Sequence, residues 1–337
     1  MKQYNYCLDF IKGIACIFVV FMHCEFPGIM GIAVQAVSRF CVPLFFMVSG
    51  YFCYQSVIVQ GRGVTNCNQW LFNKKVKHIL KITINASLFY LLFAIVQSLL
   101  FDNINWHIGL GSLFNFLVLN EPFIIAGQLW FLFALLYVYI IYAFVDRYKL
   151  HKYAYILAGI CFILYLLLAQ GMHLVGVYIP NIYYRNFLIE GFAYFMLGHW
   201  IHKNQSLLII NNTTLYFAIA ISTILCLVER YLLGRDFGVN IVTIPQVFCL
   251  FLYAVNNPQN HKGVIQEIGK RYSMYIYILH PFVWHSLEYV YEYYHLSANI
   301  PALYLMPILV LTISIVLSHI VYIVNASFLT QQKKSHA

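Results

Sequence analysis

Long apolar stretches separated by short polar segments run through the whole chain. A transmembrane helix needs about 20 consecutive, mostly apolar residues, and stretches of that length recur too regularly here for the core helices of a soluble protein. We predict ten membrane-spanning helices, over residues 8–26, 33–54, 79–101, 126–145, 153–170, 186–202, 213–233, 241–256, 272–294 and 302–325. The pattern therefore predicts an all-α fold, a polytopic integral membrane bundle of about ten transmembrane helices.

The overall composition also indicates a membrane protein. Apolar residues make up 62% and charged residues 9% of the 337 positions, and the mean hydropathy is +0.75, whereas soluble domains contain about 25% charged residues. No linker rich in proline, glycine or serine divides the chain, and the longest cytoplasmic loop is predicted at residues 55–78. We therefore predict a single membrane domain over residues 1–337, ending in a short cytoplasmic tail, residues 330–337.

The basic residues are distributed unequally between the two sides of the predicted bundle. With the N-terminus inside, fifteen of the 20 lysines and arginines fall on the cytoplasmic side, as expected for short positively charged loops. These are Lys2, Arg62, Lys74, Lys75, Lys77, Lys81, Arg147, Lys149, Lys152, Lys203, Lys262, Lys270, Arg271, Lys333 and Lys334. Both termini are then cytoplasmic, and the expected location is the cytoplasmic membrane of the cell, as a multi-pass protein. This asymmetry and affinity for membrane lipid explain the net charge of +9, so no nucleic-acid partner is predicted.

The cysteines and isolated histidines do not predict a metal site. The nine cysteines are scattered through the predicted spans without a CxxC or zinc-ligand spacing. Most are expected to be buried free thiols that behave as small apolar residues. His199, His285 and His319 are expected to serve in packing or at the membrane interface. Neither a metal nor a bound cofactor is predicted.

Three ionisable residues lie inside the first apolar stretch, where such side chains are costly to keep. At about 100° per helical residue, Lys12 and His23 differ by only about 20° in azimuth, and Asp9 lies within about 60° of both. They form one polar stripe, with Lys12 and His23 about 16 Å apart along the helix axis. A stripe of this length can line a channel or a cleft, so on its own it fits both an enzyme and a transporter.

Several short motifs occur in order along the chain. The first combines Asp9, Lys12 and His23, with ten residues between the lysine and the histidine. The others lie in the second span, before the third span, and in the fourth, sixth and ninth spans, at Ser38–Tyr51, Asn73–Ile79, Gly127–Leu132, Gly191–His199 and Ser273–Pro281. Together they resemble membrane acyltransferase family 3, over nearly the whole chain. Many members have arginine at the position of Lys12, so the geometry of a donor contact there is expected to differ.

The resemblance implies an integral-membrane O-acyltransferase. Many members of this family acetylate polysaccharides or lipid-linked sugars. We therefore expect an enzyme that transfers an acyl group, with acetyl favoured, from acyl-CoA to a hydroxyl of a cell-surface polysaccharide or lipid-linked sugar. Its expected partners are acetyl-CoA or another acyl-CoA as donor substrate, the glycan or lipid-linked sugar acceptor, and membrane lipid.

The resemblance also assigns the polar stripe to catalysis. Acyl transfer to a hydroxyl requires a base for that hydroxyl and positive or hydrogen-bonding groups where charge develops on the carbonyl oxygen. His23 is the expected base, and Glu25 could orient it or share its proton. Lys12 is expected to stabilise charge or hold the donor, with Asp9 keeping it charged. The structural alternatives are an interhelical hydrogen bond for His23 and an anchoring ion pair for Lys12. Cys16 lies on the same stripe, either as an inert buried thiol or as a transient acyl carrier.

Five basic residues are candidates for substrate or donor binding. Lys74, Lys75 and Lys77 suit the phosphates of cytosolic CoA, although retention of positive loops in the cytoplasm explains them equally well. Arg39 and Arg185 lie toward the outer side, where that retention does not explain them. We expect these two arginines to hold the acceptor or the donor.

Three further candidates rest mainly on the family motifs. His280 matches a family position in the ninth span, with a structural role as the alternative. Ser49 and Trp130 fall in the motifs of the second and fourth spans, and both could instead shape helix contacts, since small residues such as Ser49 and the following glycine let backbones approach closely.

The main alternative function is a multispan carrier that uses the stripe of Asp9, Lys12 and His23 as a proton or ion pathway. Ten spans without a soluble catalytic domain fit a carrier as well as an enzyme. However, the two halves of the chain show no internal repeat of the kind on which many carriers are built. A structural or sensory membrane protein has no positive feature in its favour beyond the spans.

Overall fold

A computed structural model describes residues 4–58, 67–101, 110–122 and 127–335 of the chain, without the side chains of 55–58, 67–73, 101 and 328–335. The described residues form helices and connecting segments, with no strand among them. Some predictions fall outside this part of the chain. They concern Lys2, Arg62, residues 59–66 of the predicted long loop, the first residue of the span at 126–145, and the last two residues of the predicted tail.

Fourteen α-helices occur among the described residues. They are α1 (Tyr6–His23), α2 (Gly28–Ser38), α3 (Cys41–Ile58), α4 (Cys67–Phe101), α5 (Leu110–Leu119), α6 (Trp130–Arg147), α7 (His151–Leu166), α8 (Met172–Leu174), α9 (Ala193–Lys203), α10 (Asn212–Leu233), α11 (Thr243–Asn256), α12 (Val264–Glu267), α13 (Ser273–Tyr293) and α14 (Ile300–Ser335). Three π-helical segments extend or join them, at Leu167–Gly171, Phe187–Phe192 and Ile268–Tyr272. Short 3-10 turns lie at Gly127–Leu129, Asn181–Tyr183, Gln205–Leu207 and Leu296–Ala298.

The helices confirm an all-α, multi-pass membrane protein. Seven helical segments of the described chain are long and apolar enough to cross a membrane: Tyr6–His23, Gly28–Tyr54, Lys74–Leu100, Gly127–Arg147, His151–Leu174, Asn212–Leu233 and Ile300–Ser327. Each of the ten predicted spans overlaps a helix, while the count of ten and the cytoplasmic termini stay predictions. The short helices α8 and α12 lie outside the predicted spans, and two longer helical regions were not predicted either. Residues 67–78 begin α4 inside the expected loop because their polar composition hides the helix, and α5 is too short to span a bilayer.

Apolar side chains cover the outer faces of several helices. On α10, Phe217, Ile221 and Ile224 are each more than half exposed. On α14, Val316, Ile320 and Ile323 are exposed to a similar degree. A soluble protein rarely exposes such large contiguous apolar surfaces, whereas lipid tails are as apolar as these side chains. These faces therefore suit contact with lipid.

The chain packs as two compact units. Unit 1 contains residues 1–41 and 210–337, and unit 2 contains residues 42–209. In unit 1, α1 is the central helix and packs against α2, α11, α12, α13 and α14. Asn5 is the N-cap of α1, because its side chain accepts a hydrogen bond from the backbone N–H of Leu8 at 2.8 Å. The backbone N–H of Tyr6 donates to the carbonyl of Pro258 at 2.7 Å and ties this end of α1 to the segment after α11.

Unit 2 is held by close helix contacts through glycine. A Cβ at Gly50 of α3 would collide with the carbonyl oxygen of Phe195 on α9, and a Cβ at Gly198 of α9 would collide with the carbonyl oxygen of Met47 on α3. Each helix therefore contributes one glycine to the same crossing. Close backbone approach at small residues is a principal source of helix association in membranes.

Candidate functional site

The charged residues predicted in the first span form a local cluster in unit 1. The Nζ atom of Lys12 lies 2.9 Å from Oδ1 of Asp9, one helical turn away, and the hydroxyl of Tyr4 donates to Oδ2 of the same carboxylate. Burial, reinforced by the hydrogen bond to Asp9, raises the pKa of Tyr4 well above its ordinary value, so the phenol remains a donor. Both oxygens of Asp9 are thus occupied, and the Lys12 side chain is held beside the carboxylate.

Two glycines bring a second helical segment directly against this cluster. A Cβ at Gly269, in the π-helical segment before α13, would collide with the backbone oxygen of Asp9. A Cβ at Gly13 would collide with the carbonyl oxygen of Ile265 on α12. The Asp9 end of α1 is therefore fixed by backbone contact, which a larger residue at either glycine would break.

His23, at the end of α1, lies beside His280 of α13. The two ring centroids are 5.2 Å apart and the ring planes differ by 38°. His23 is half-buried, whereas His280 is completely buried. The structure thus brings together two candidate residues that are separated by 257 positions in sequence.

The rest of the polar stripe packs inside the protein. Cys16 is 1% exposed, and its Sγ donates to the carbonyl oxygen of Ser273 at 3.6 Å. Val20, between Cys16 and His23 on the same face, is fully buried. This face of α1 therefore lies against α13 and the segment before it.

The other two candidates of unit 1, Arg39 and Glu25, have partners near the His23 end of α1. Arg39 is 5% exposed; its guanidinium pairs with Asp236, in the segment after α10, and its Nη1 lies 3.1 Å from Sδ of Met22, next to His23. Glu25 is exposed and accepts a hydrogen bond from Nε2 of Gln35 at 2.6 Å. The buried guanidinium of Arg39 therefore contacts the residue that precedes His23 in α1.

In unit 2, Trp130 and Arg185 contact each other. The guanidinium of Arg185 lies 4.9 Å from the ring centroid of Trp130, within cation–π range, and its Nε lies 4.0 Å from Oε2 of the buried Glu190. Asn120 joins the two segments, because its Nδ2 donates to the carbonyl of Trp130 at 3.2 Å and its Oδ1 accepts from the N–H of Phe187 at 2.8 Å. Asn120 is buried, with φ of 55°, a left-handed conformation that asparagine tolerates better than most residues.

The remaining candidates of unit 2 have more varied surroundings. Ser49 donates from Oγ to the carbonyl of Phe45, one turn earlier in α3, at 2.9 Å. Lys75 donates from Nζ to the carbonyl of Phe52, also at 2.9 Å. Lys74 and Lys77 are exposed at the start of the apolar part of α4.

A known protein family matches the chain. A family profile described as an acyltransferase domain matches residues 5–321, and it covers residues of both units. The chain is a membrane acyltransferase of family 3. The acyltransferase has no significant match among curated proteins or among solved structures.

Four residues of these surroundings were not singled out from the sequence of the acyltransferase. Tyr4 precedes α1, and Asn120 and Asp236 lie in connecting segments, where no periodic pattern marks them. Glu190 lies within a predicted span, so its carboxylate was itself a signal of a special position. No described group of three or more histidine, cysteine and acidic residues is arranged to hold a metal ion.

Proposed function

We propose that this acyltransferase transfers an acyl group, with acetyl favoured, from acyl-CoA to a hydroxyl of a cell-surface polysaccharide or lipid-linked sugar in the cytoplasmic membrane. The observation that carries the proposal is His23, a half-buried imidazole next to a second imidazole, on the central helix of unit 1. A neutral imidazole is suited to take a proton from a hydroxyl near neutral pH.

The reaction assigns a different task to each end of α1. His23 removes the proton of the acceptor hydroxyl, whose oxygen attacks the thioester carbonyl; the C–O bond forms, the C–S bond breaks, and His23 returns the proton to the CoA thiolate. Lys12 lies about 16 Å from His23 along the helix, so the two side chains act on different parts of the substrates. Lys12 suits a distant, anionic part of the donor, with Asp9 and Tyr4 holding it in place.

Arg39 is the better candidate for stabilising the carbonyl oxygen. It is buried, it contacts the residue before His23, and a guanidinium presents several N–H donors in a fixed plane. Stabilisation of developing negative charge by fixed donors is often the largest single contribution to catalysis. Glu25, hydrogen-bonded to Gln35 on α2, has a supporting role in proton transfer.

The remaining candidate binding residues lie in unit 2. Trp130 and Arg185 form a cation–π pair, a combination that suits a sugar ring carrying anionic substituents. Lys74, Lys75 and Lys77 provide a basic run for the phosphates of CoA, and Ser49 supports the packing of α3.

The test uses purified protein in detergent with radiolabelled acetyl-CoA and membrane glycans or lipid-linked sugars as acceptors. We expect label in the acceptor fraction with the wild-type protein, and a loss of at least about 100-fold with His23→Ala. His319→Ala is the matched control, because His319 is exposed, its Nδ1 lies 2.9 Å from the hydroxyl of Tyr272, and it has no role in the proposed reaction. Detergent leaves no sealed compartment, so label transfer there supports an enzyme over a carrier. Undiminished transfer by His23→Ala would exclude His23 as the base.

A further inference from the structure

The protonation state of His280 follows from its hydrogen bond. Nδ1 lies 3.0 Å from the carbonyl oxygen of Ile276, one turn earlier in α13. A carbonyl only accepts, so Nδ1 carries the proton, and in a neutral imidazole Nε2 is then a bare acceptor. Complete burial favours the neutral ring, because a charged one would be buried with an unsatisfied N–H.

The Nε2 atom of His280 is buried and has no hydrogen-bond partner among the described residues. Such orphaned acceptors are uncommon in folded proteins and call for an explanation. The nearest ring with a suitable donor is that of His23, 5.2 Å away between centroids. Two imidazole rings at this separation can bring two facing nitrogens to about 3 Å from each other. Catalytic hydrogen bonds commonly tighten in this way only when substrate binds.

Packing holds the two histidines opposite each other. One heptad before His23 and one heptad before His280, Cys16 donates to Ser273. Both pairs are therefore separated by the same 257 positions, which means that α1 and α13 run parallel in a constant register between them. Pro281 follows His280 in α13 and has no N–H. The regular backbone hydrogen-bond pattern of α13 is therefore interrupted next to the histidine.

We propose that His280 is a positioning residue for His23. In the working state, Nε2 of His280 accepts the N–H of His23, which holds His23 in one tautomer with its other nitrogen bare and directed to the acceptor hydroxyl. This inference rests on the proposed function of His23 as base. During transfer the hydroxyl proton moves to the bare nitrogen of His23, the resulting imidazolium keeps its hydrogen bond to His280, and the proton leaves with the CoA thiolate. His280 itself gains and loses no proton.

Two conservative variants separate this role from a structural one. The amide of His280→Asn can reach the position of Nδ1 and keep the bond to Ile276, but it offers nothing at the position of Nε2. The amide oxygen of His280→Gln can reach the position of Nε2 and accept a hydrogen bond there. For acetyl transfer from labelled acetyl-CoA, we expect His280→Asn to lower kcat about 100-fold with little change in KM for acetyl-CoA, and His280→Gln to lose about tenfold or less. Equal activity of the two variants, or a more active asparagine variant, would overturn the proposal.

A second measurement tests the pairing without activity. In wild-type protein labelled with nitrogen-15 at histidine and saturated with CoA, the neutral form of His23 should show one tautomer, and His280→Asn should convert it to a mixture. A mixture in the wild-type protein would overturn the positioning role even if no variant folds. If the single tautomer is found but no acetyl transfer depends on His23, the proposed function fails and the pairing stands. If transfer depends on His23 but not on His280, only the present inference fails.

Discussion

Sγ of Cys16 donates to the carbonyl oxygen of Ser273 one heptad before the point where the rings of His23 and His280 meet. A heptad is close to two helical turns, so both contacts lie on the same face of α1. The contact therefore reports how α1 is oriented toward α13. It also places the thiol inside a helix interface and not on an open surface.

Cys16 should therefore be dispensable for the chemistry. We expect Cys16→Ala to keep acetyl transfer within about threefold of wild type, because the residue is 1% exposed and serves in packing. The loss of one buried sulfur atom should lower the free energy of unfolding by about 1 kcal/mol. Label transfer and thermal unfolding in detergent measure both effects. Loss of transfer in a folded Cys16→Ala protein, together with label trapped on Cys16 in the wild type, would instead identify an acyl carrier.

Gly269 should tolerate no side chain. Its missing Cβ makes room for the backbone of Asp9, so Gly269→Ala must push α1 and the π-helical segment apart. We expect a loss of about 1–3 kcal/mol in the free energy of unfolding and reduced acetyl transfer, since the Asp9 and Lys12 pair moves with the backbone. Gly159→Ala is the control, because Gly159 lies in α7 with open space around it. If both variants unfold at the wild-type temperature, the contact between α1 and the π-helical segment is not tight in solution.

Much of this architecture follows from the sequence because membrane spans have a strong local signal. Hydropathy locates the helices, and the spacing of Asp9 and Lys12 predicts a contact one turn apart, which occurs at 2.9 Å. The partner of His23, in contrast, cannot be predicted from local spacing. His280 is 257 positions away, and nothing in either span specifies which helix faces which. Asp236 and Asn120 are polar residues in connecting segments, where such residues are common. Only the tertiary fold reveals that they hold Arg39 and Trp130.

Removing one or both charges of the Lys12 and Asp9 pair should affect the free energy of unfolding and the KM for acetyl-CoA differently. Lys12→Met leaves the Asp9 carboxylate largely buried without its cation, and we expect the free energy of unfolding to fall by about 2–3 kcal/mol. The double variant Asp9→Asn, Lys12→Met removes both charges and should recover at least half of that stability. If Lys12 binds the donor, the double variant nevertheless remains impaired, with a raised KM for acetyl-CoA. A double variant that regains both stability and a normal KM would show that the pair only anchors α1.

Arg39 should depend on Asp236 far more than exposed pairs of unit 1 depend on each other. Asp236→Asn leaves a guanidinium that is 5% exposed without its carboxylate, and we expect a loss of about 2 kcal/mol in the free energy of unfolding, together with a lower kcat as Arg39 shifts.

The control is Glu267→Gln, which breaks the pair with Arg271 at 2.6 Å. Both side chains of that pair are about 40% exposed, so its removal should cost less than about 1 kcal/mol. Thermal unfolding of the two variants in the same detergent gives the comparison. Equal losses would mean that burial adds nothing to the pairing of Arg39, and a normal kcat in Asp236→Asn would remove the reason to assign Arg39 to the carbonyl oxygen.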